Sequence, residues 1–135
     1  MAITREELES IITADRNLKV KTDTAKKLYE LATSIPSTDT TKPNSMGGSY
    51  DSNYLMDKYI DLEADLKVDI KQLLELKRKA YKEIRKLKGV YREVMELRYI
   101  AGMDFEHIGD YMHMSVRHIY RIRNEALKKI LERCQ

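Results

Sequence analysis

Residues Gly102 to Leu131 (GMDFEHIGDYMHMSVRHIYRIRNEALKKIL) constrain the fold more than any other part of the chain. They read as two short amphipathic helices joined by a tight turn. At about 100° per residue, Ile119, Ile122, Ala126 and Ile130 fall on one side of the second helix. Arg117, Arg121, Asn124 and Lys128 fall almost opposite. An apolar stripe holds such a helix on the body of its domain. A row of Arg, Asn and Lys on the outer side suits phosphates and base edges in a DNA major groove. The pattern predicts a helix-turn-helix that inserts Ser115 to Lys128 into the groove, with the Ser115 hydroxyl and adjacent amides near a phosphate.

Charge distribution supports this better than bulk charge does. The chain carries a net charge of only +3. From Ser115 to Arg133, however, six bases (Arg117, Arg121, Arg123, Lys128, Lys129, Arg133) face two acids, Glu125 and Glu132. The preceding helix holds Asp104, Glu106 and Asp110 and no Lys or Arg. A solvated helical face is the alternative reading of any such charge run.

Ser115 to Ile130 (SVRHIYRIRNEALKKI), preceded by FEHIGDYM, is similar to the last helix-turn-helix of bacterial sigma factors. That region-four module reads the promoter −35 element. The resemblance extends back through VYREVMELRYIAGMD, which is similar to the family's lead-in helix, and covers about the last third of the chain. Small phage regulators of late transcription, of the ArpU and RinA type, carry this module behind an unrelated helical part, and their layout resembles this one most. The resemblance implies that Val116, Arg117 and Arg121 face bases. The candidate DNA-binding residues are thus Ser115, Val116, Arg117, His118, Arg121, Asn124 and Lys128.

The chain also departs from the pattern. His113 stands where the family's turn usually has Gly. Val116, Tyr120 and Glu125 are substitutions at positions that matter for the −35 element, so that target does not carry over. Nothing resembles the sigma regions that bind the −10 element and core polymerase, which implies something other than a complete sigma factor.

Before this module the chain has three parts. Thr4 and Glu7 form a candidate capping box opening a helix with Leu8, Ile11 and Ile12. A second helical stretch runs from about Asp23 to Ser34, so 1–34 is an N-terminal helical segment. Residues 35–52 (IPSTDTTKPNSMGGSYDS) hold both prolines and a Gly-Gly pair and predict a linker or a packed loop. Residues 53–88 read as one long helix closed by Gly89, and 89–135 as the DNA-binding domain.

Tyr59, Leu62, Leu66, Ile70, Leu73, Ala80, Ile84 and Leu87 repeat every three to four residues along the long helix. Some 36 residues would span roughly 54 Å, a length that needs a partner along it. The partner is either the N-terminal segment folding back or the same helix of a second subunit, giving a homodimer or higher oligomer. Asp69 and Lys77 interrupt a strict heptad. The helix is polarised: Asp51, Asp57, Asp61, Glu63 and Asp65 accompany one base, Lys58, in its first half. Its second half is rich in Lys and Arg and offers phosphate contacts that position without specifying, or simple helix pairs such as Glu75 with Lys79.

Other chemistry finds little support. Cys134 is the one cysteine, so an intrachain disulfide is excluded. No carboxylate or thiolate is spaced to join His107, His113 and His118 in a metal site, and no nucleophile elbow, phosphate loop or metalloprotease motif occurs. The expectation is a protein that is not an enzyme and needs no cofactor or metal. The MAITREELES start lacks an apolar signal core and no run reaches the ~18 apolar residues of a span, so a cytoplasmic protein with no membrane partner is expected.

The fold expected is all-α: N-terminal helices, a long central helix and a C-terminal sigma region-four-like helix-turn-helix domain. The expected function is a sequence-specific transcription regulator, phage-encoded, that binds double-stranded DNA and activates late genes, with RNA polymerase as a further candidate partner. The rival is a DNA-packaging or structural adaptor such as a small terminase subunit. A third reading is a protein-only role in which the module grips polymerase, against which the basic face argues.

Overall fold

The computed structural model describes residues 3–34 and 52–133. The expected linker or loop at 35–52 lies outside the described residues except for Ser52. The fold is all-α: α1 (Arg5–Ser34), α2 (Ser52–Ile84), α3 (Gly89–Met95), a π-helical segment (Glu96–Ile100), α4 (Phe105–Met112) and α5 (Val116–Arg133). Among the described residues no helix is long and apolar enough to cross a membrane.

α1 is a single helix of 30 residues where two shorter ones were expected. Its start is the anticipated capping box. The Glu7 amide donates to Thr4 Oγ1 at 3.1 Å, and the Thr4 amide donates to the Glu7 carboxylate at 3.0 Å. The stretch Arg16 to Thr22 lies between the two expected helices and has few apolar residues. It stays helical because Leu18 is half-buried and Lys21 has an ion-pair partner.

α2 stops at Ile84, short of the expected Lys88. Tight i to i+3 bonds close it, from the Lys86 amide to the Glu83 carbonyl and from Leu87 to Ile84. Gly89, with φ +61°, therefore opens α3 instead of closing α2.

The chain divides into two compact units. One comprises Met1–Asp15 with Lys71–Gln135, the other Arg16–Ile70. In the second, α1 and α2 run antiparallel. Lys21 Nζ lies 2.6 Å from Asp69 Oδ2, and the Tyr29 and Tyr59 rings meet at 5.2 Å. Among the described residues Ala25, Ala32, Leu55 and Leu66 are its buried apolar side chains.

In the first unit the start of α1 again lies antiparallel to α2. Lys79 Nζ is 2.8 Å from Glu7 Oε2, and Lys77 Nζ is 3.0 Å from Asp15 Oδ1 while donating to the Ile100 carbonyl at 2.9 Å. The stripe of α2 is thus covered within the chain, by the folding-back alternative. Asp69 and Lys77, which interrupt the heptad, are among the residues that α1 pairs with. Ile70 is a correction: it is 42% exposed and does not belong to the covered stripe.

The core of the C-terminal module contains Val94, Phe105, Ile108, Ile119 and Ile122. Tyr91, Leu97, Met103, Met112, Met114 and Val116 pack half-buried against it. A wider turn leads into it, with the Ala101 amide bonding to the Glu96 carbonyl five residues back. Tyr99 is buried in this turn. Arg98 donates to the Met103 carbonyl and lies over the Phe105 ring at 4.2 Å.

Candidate nucleic-acid interface

α4 and the turn that follows it are fixed at three points. Asp104 caps α4, accepting the His107 amide at 2.8 Å. His113 adopts the left-handed conformation (φ 58°, ψ 44°) expected of the residue at the family's Gly position. The strain of a Cβ there, about 1–2 kcal/mol per residue, is offset by bonds that end the helix. The Met114 amide donates to the Gly109 carbonyl at 2.9 Å, and His113 to Asp110 at 3.4 Å. Gly109 lies against the turn and the first residue of α5. A Cβ on it would lie 2.8 Å from the Met114 carbonyl oxygen, which is tighter than packed atoms allow.

Ser115 starts α5. Its Oγ accepts the His118 amide at 3.1 Å, so the hydroxyl serves as an N-terminal cap. Ile119, Ile122, Ala126, Leu127 and Ile130 are buried. Arg117, His118, Arg121, Asn124 and Lys128 are exposed, and all except His118 lie on the side opposite the buried stripe. This brings four of the seven candidate residues into one polar row. Val116 is half-buried against the module core, so only part of its side chain is presented outward.

The substituted positions have internal duties. Tyr120 stacks on Phe105 at 4.1 Å, with the Arg123 guanidinium 5.2 Å from the Phe105 ring. Glu125 accepts the Tyr91 hydroxyl at 2.7 Å, tying α5 to α3. That hydrogen bond, then the charge of Glu125, holds the Tyr91 pKa above the ordinary tyrosine value. Arg123 Nε donates to Asn124 Oδ1 at 3.0 Å and so orients the amide beside it.

One contributor to this surface was not foreseen. A cleft of about 420 Å³ beside α5 is lined by Arg5, Asn124, Leu127, Lys128, Leu131 and Glu132. Arg5 thereby joins Asn124 and Lys128. No local pattern links Arg5 to α5, because only the tertiary return of α1 brings it there. The basic second half of α2 is less available than its composition suggested. Lys77 and Lys79 are held by Asp15 and Glu7, and Lys86 lies 3.3 Å from Glu83. Lys71, Arg78, Lys82, Arg85 and Lys88 remain exposed.

His107 Nδ1 lies 2.6 Å from Asp104 Oδ1. The carboxylate raises the imidazole pKa above 6.5, and the bonds from the His107 amide and ring lower that of Asp104. Among the described residues no group of three or more His, Cys, Asp or Glu is placed to hold a metal ion.

The family model described as Sigma-70, region 4 matches residues 77–131. This span takes in the end of α2 and everything through α5 short of its last residues. The chain therefore carries a sigma-70 region-4-like helix-turn-helix domain at 77–131, consistent with DNA binding. No curated protein and no solved structure gave a match.

Proposed function

We propose that this protein is a sequence-specific transcription regulator of double-stranded DNA, of the kind phages use to activate late genes, acting in the cytoplasm as a homodimer. One observation carries the reading. Arg117, Arg121, Asn124 and Lys128 form an exposed row on a helix whose other face is locked into a packed core. The helix can enter a groove without unfolding its own domain. Arg117 and Arg121 read guanine edges, each bidentate contact being worth ~1–3 kcal/mol of discrimination. Lys128 and Arg5 meet phosphates, as does the N-terminal turn of α5. RNA polymerase is a second partner of the bound regulator.

Selection of bound sequences from random DNA, followed by reporter transcription from the winning site, tests the reading. Arg117→Ala and Arg121→Ala should each lose specific binding far more than non-specific binding, with helicity unchanged. Equal losses on both DNAs would confine these side chains to phosphates. A packaging or structural adaptor is the rival. It would bind the same way but assemble as a ring of many copies and leave the reporter silent.

A further inference from the structure

α2 carries a second apolar row beside the one that α1 covers. Met56, Ile60, Glu63, Lys67, Ile70 and Leu74 follow each other at alternating spacings of four and three residues, the heptad seam of a helix pair. Leu62, Leu66, Leu73 and Ala80 form the covered row about a quarter-turn away. On the second row Ile60, Ile70 and Leu74 are 54%, 42% and 58% exposed. Side chains of this size at seam spacing are costly to leave in water, about 25 cal/mol for each Å² of apolar area.

We infer that this row is the interface between two copies of the chain, with the two α2 helices antiparallel and crossing at Asp65. This rests on the reading of the protein as a homodimer and specifies how the copies meet. The row is self-complementary about that centre. Residues equally distant from Asp65 on either side oppose each other across the pair. Ile60 then meets Ile70 of the other copy, Met56 meets Leu74, and Glu63 meets Lys67. Each contact occurs twice, as a two-fold interface requires.

Ala64, next to Asp65 on the flank away from α1, sits beside its own copy near the axis, where a small side chain permits close approach. The charge polarity of α2 fits as well. Asp57, Asp61, Glu63 and Asp65 lie in the first half, and Lys67, Lys71, Arg78 and Lys82 in the second. Antiparallel pairing sets acid against base. Parallel pairing would set Glu63 on Glu63 and Lys67 on Lys67, which repel. The Tyr59 hydroxyl donates to Glu63 at 2.7 Å, which orients the carboxylate on its own helix.

Light scattering on the full chain provides the test, with circular dichroism as the control for helicity. The wild type should have twice the chain mass. Glu63→Lys and Lys67→Glu, each placing like charges across the seam, should weaken dimerisation roughly tenfold or more. Both substitutions together should restore it, and so should mixing the two single variants, whose seams are mutually complementary. Restoration in the mixture holds even where one variant alone is poorly helical. A monomeric wild type would overturn the dimer reading and this inference together. A wild-type dimer indifferent to both single substitutions would spare the dimer and overturn this interface. Loss in the single variants with no recovery in the double variant would overturn the antiparallel register.

Discussion

The unit made by the chain's two ends and the unit between them are built from the same two long helices, yet among the described residues only one has a deep core. In the first, Ile3, Leu8, Ile11, Ile84, Val94, Met95, Tyr99, Ile108, Ile119 and Ile130 are essentially inaccessible. In the second, the described buried side chains include two alanines, and Val20, Tyr29, Leu31, Tyr54, Ile60, Val68 and Ile70 are exposed. The difference lies in the number of layers. α3, α4 and α5 pack together in the first unit, whereas the second is described by two helices alone. Two helices can bury one stripe each, and any second stripe stays in water until something else covers it. The packed unit holds the polar row of α5 rigid, and the thin one leaves apolar side chains of α2 exposed.

Truncating the same side chain in each unit tests the contrast most sharply. Ile122→Ala should lose ~2–5 kcal/mol, as a buried isoleucine does, and DNA binding should fail as the domain melts early. Ile60→Ala should stay within ~0.5 kcal/mol in dilute protein, as surface changes do. Thermal melts across protein concentration separate the outcomes. A loss at Ile60 that grows with concentration assigns it to a contact between copies, and equal losses at both sites would erase the distinction.

A smaller effect separates the ion pairs. Lys77 and Asp15 are only 19% and 25% exposed, and Lys77 also satisfies the Ile100 carbonyl. Lys77→Met should cost about 1–3 kcal/mol, because a half-buried carboxylate and a carbonyl lose their donor. Lys21 and Asp69 are 40% and 37% exposed. Lys21→Met should cost clearly less in the same denaturant titration, since solvent screens that pair. The reverse order would mean the thin unit depends on its polar clasp.

The smallest effect is the response to pH. Lys79, then the Thr4 amide, hold the Glu7 pKa below 4.5. A folded-state pKa below the unfolded one stabilises above pH 4.5 and loses that contribution as pH falls through the depressed value. The Asp69 hydrogen bond raises the Lys21 pKa above 10.5. That contribution is complete below pH 10.5 and is lost as pH rises through the raised value. Melting temperature against pH should therefore lose part of its acid slope in Glu7→Gln and part of its alkaline slope in Lys21→Met. Unchanged slopes would show that neither pair matters to stability.

What could be read from sequence was what depends on near neighbours. The two faces of α5, the capping box at Thr4 and Glu7, and the long helix all follow from spacing over a few residues. The left-handed His113 could be placed because family position and residue type agree there. What escaped depends on distant residues. α1 reads as two helices because Arg16 to Thr22 offers little apolar surface, and its continuity comes from a lysine meeting Asp69. Ile70 reads as part of the covered stripe because a three-to-four spacing cannot tell two adjacent rows apart. Arg5 carried no signal for joining Asn124 and Lys128, since its place depends on the whole chain having folded back.

That return has a consequence for the order of events during synthesis. Glu7 waits for Lys79, and Asp15 for Lys77, more than sixty residues later. The start of α1 thus completes its unit only after most of α2 has been made. Loop closure of this size is slow relative to local helix formation. α4 and α5, adjacent in sequence, can dock as soon as both exist. The helix-turn-helix is thus made after α1 and α2 yet is the quickest of these elements to assemble, while α1, made before them, is the last to settle.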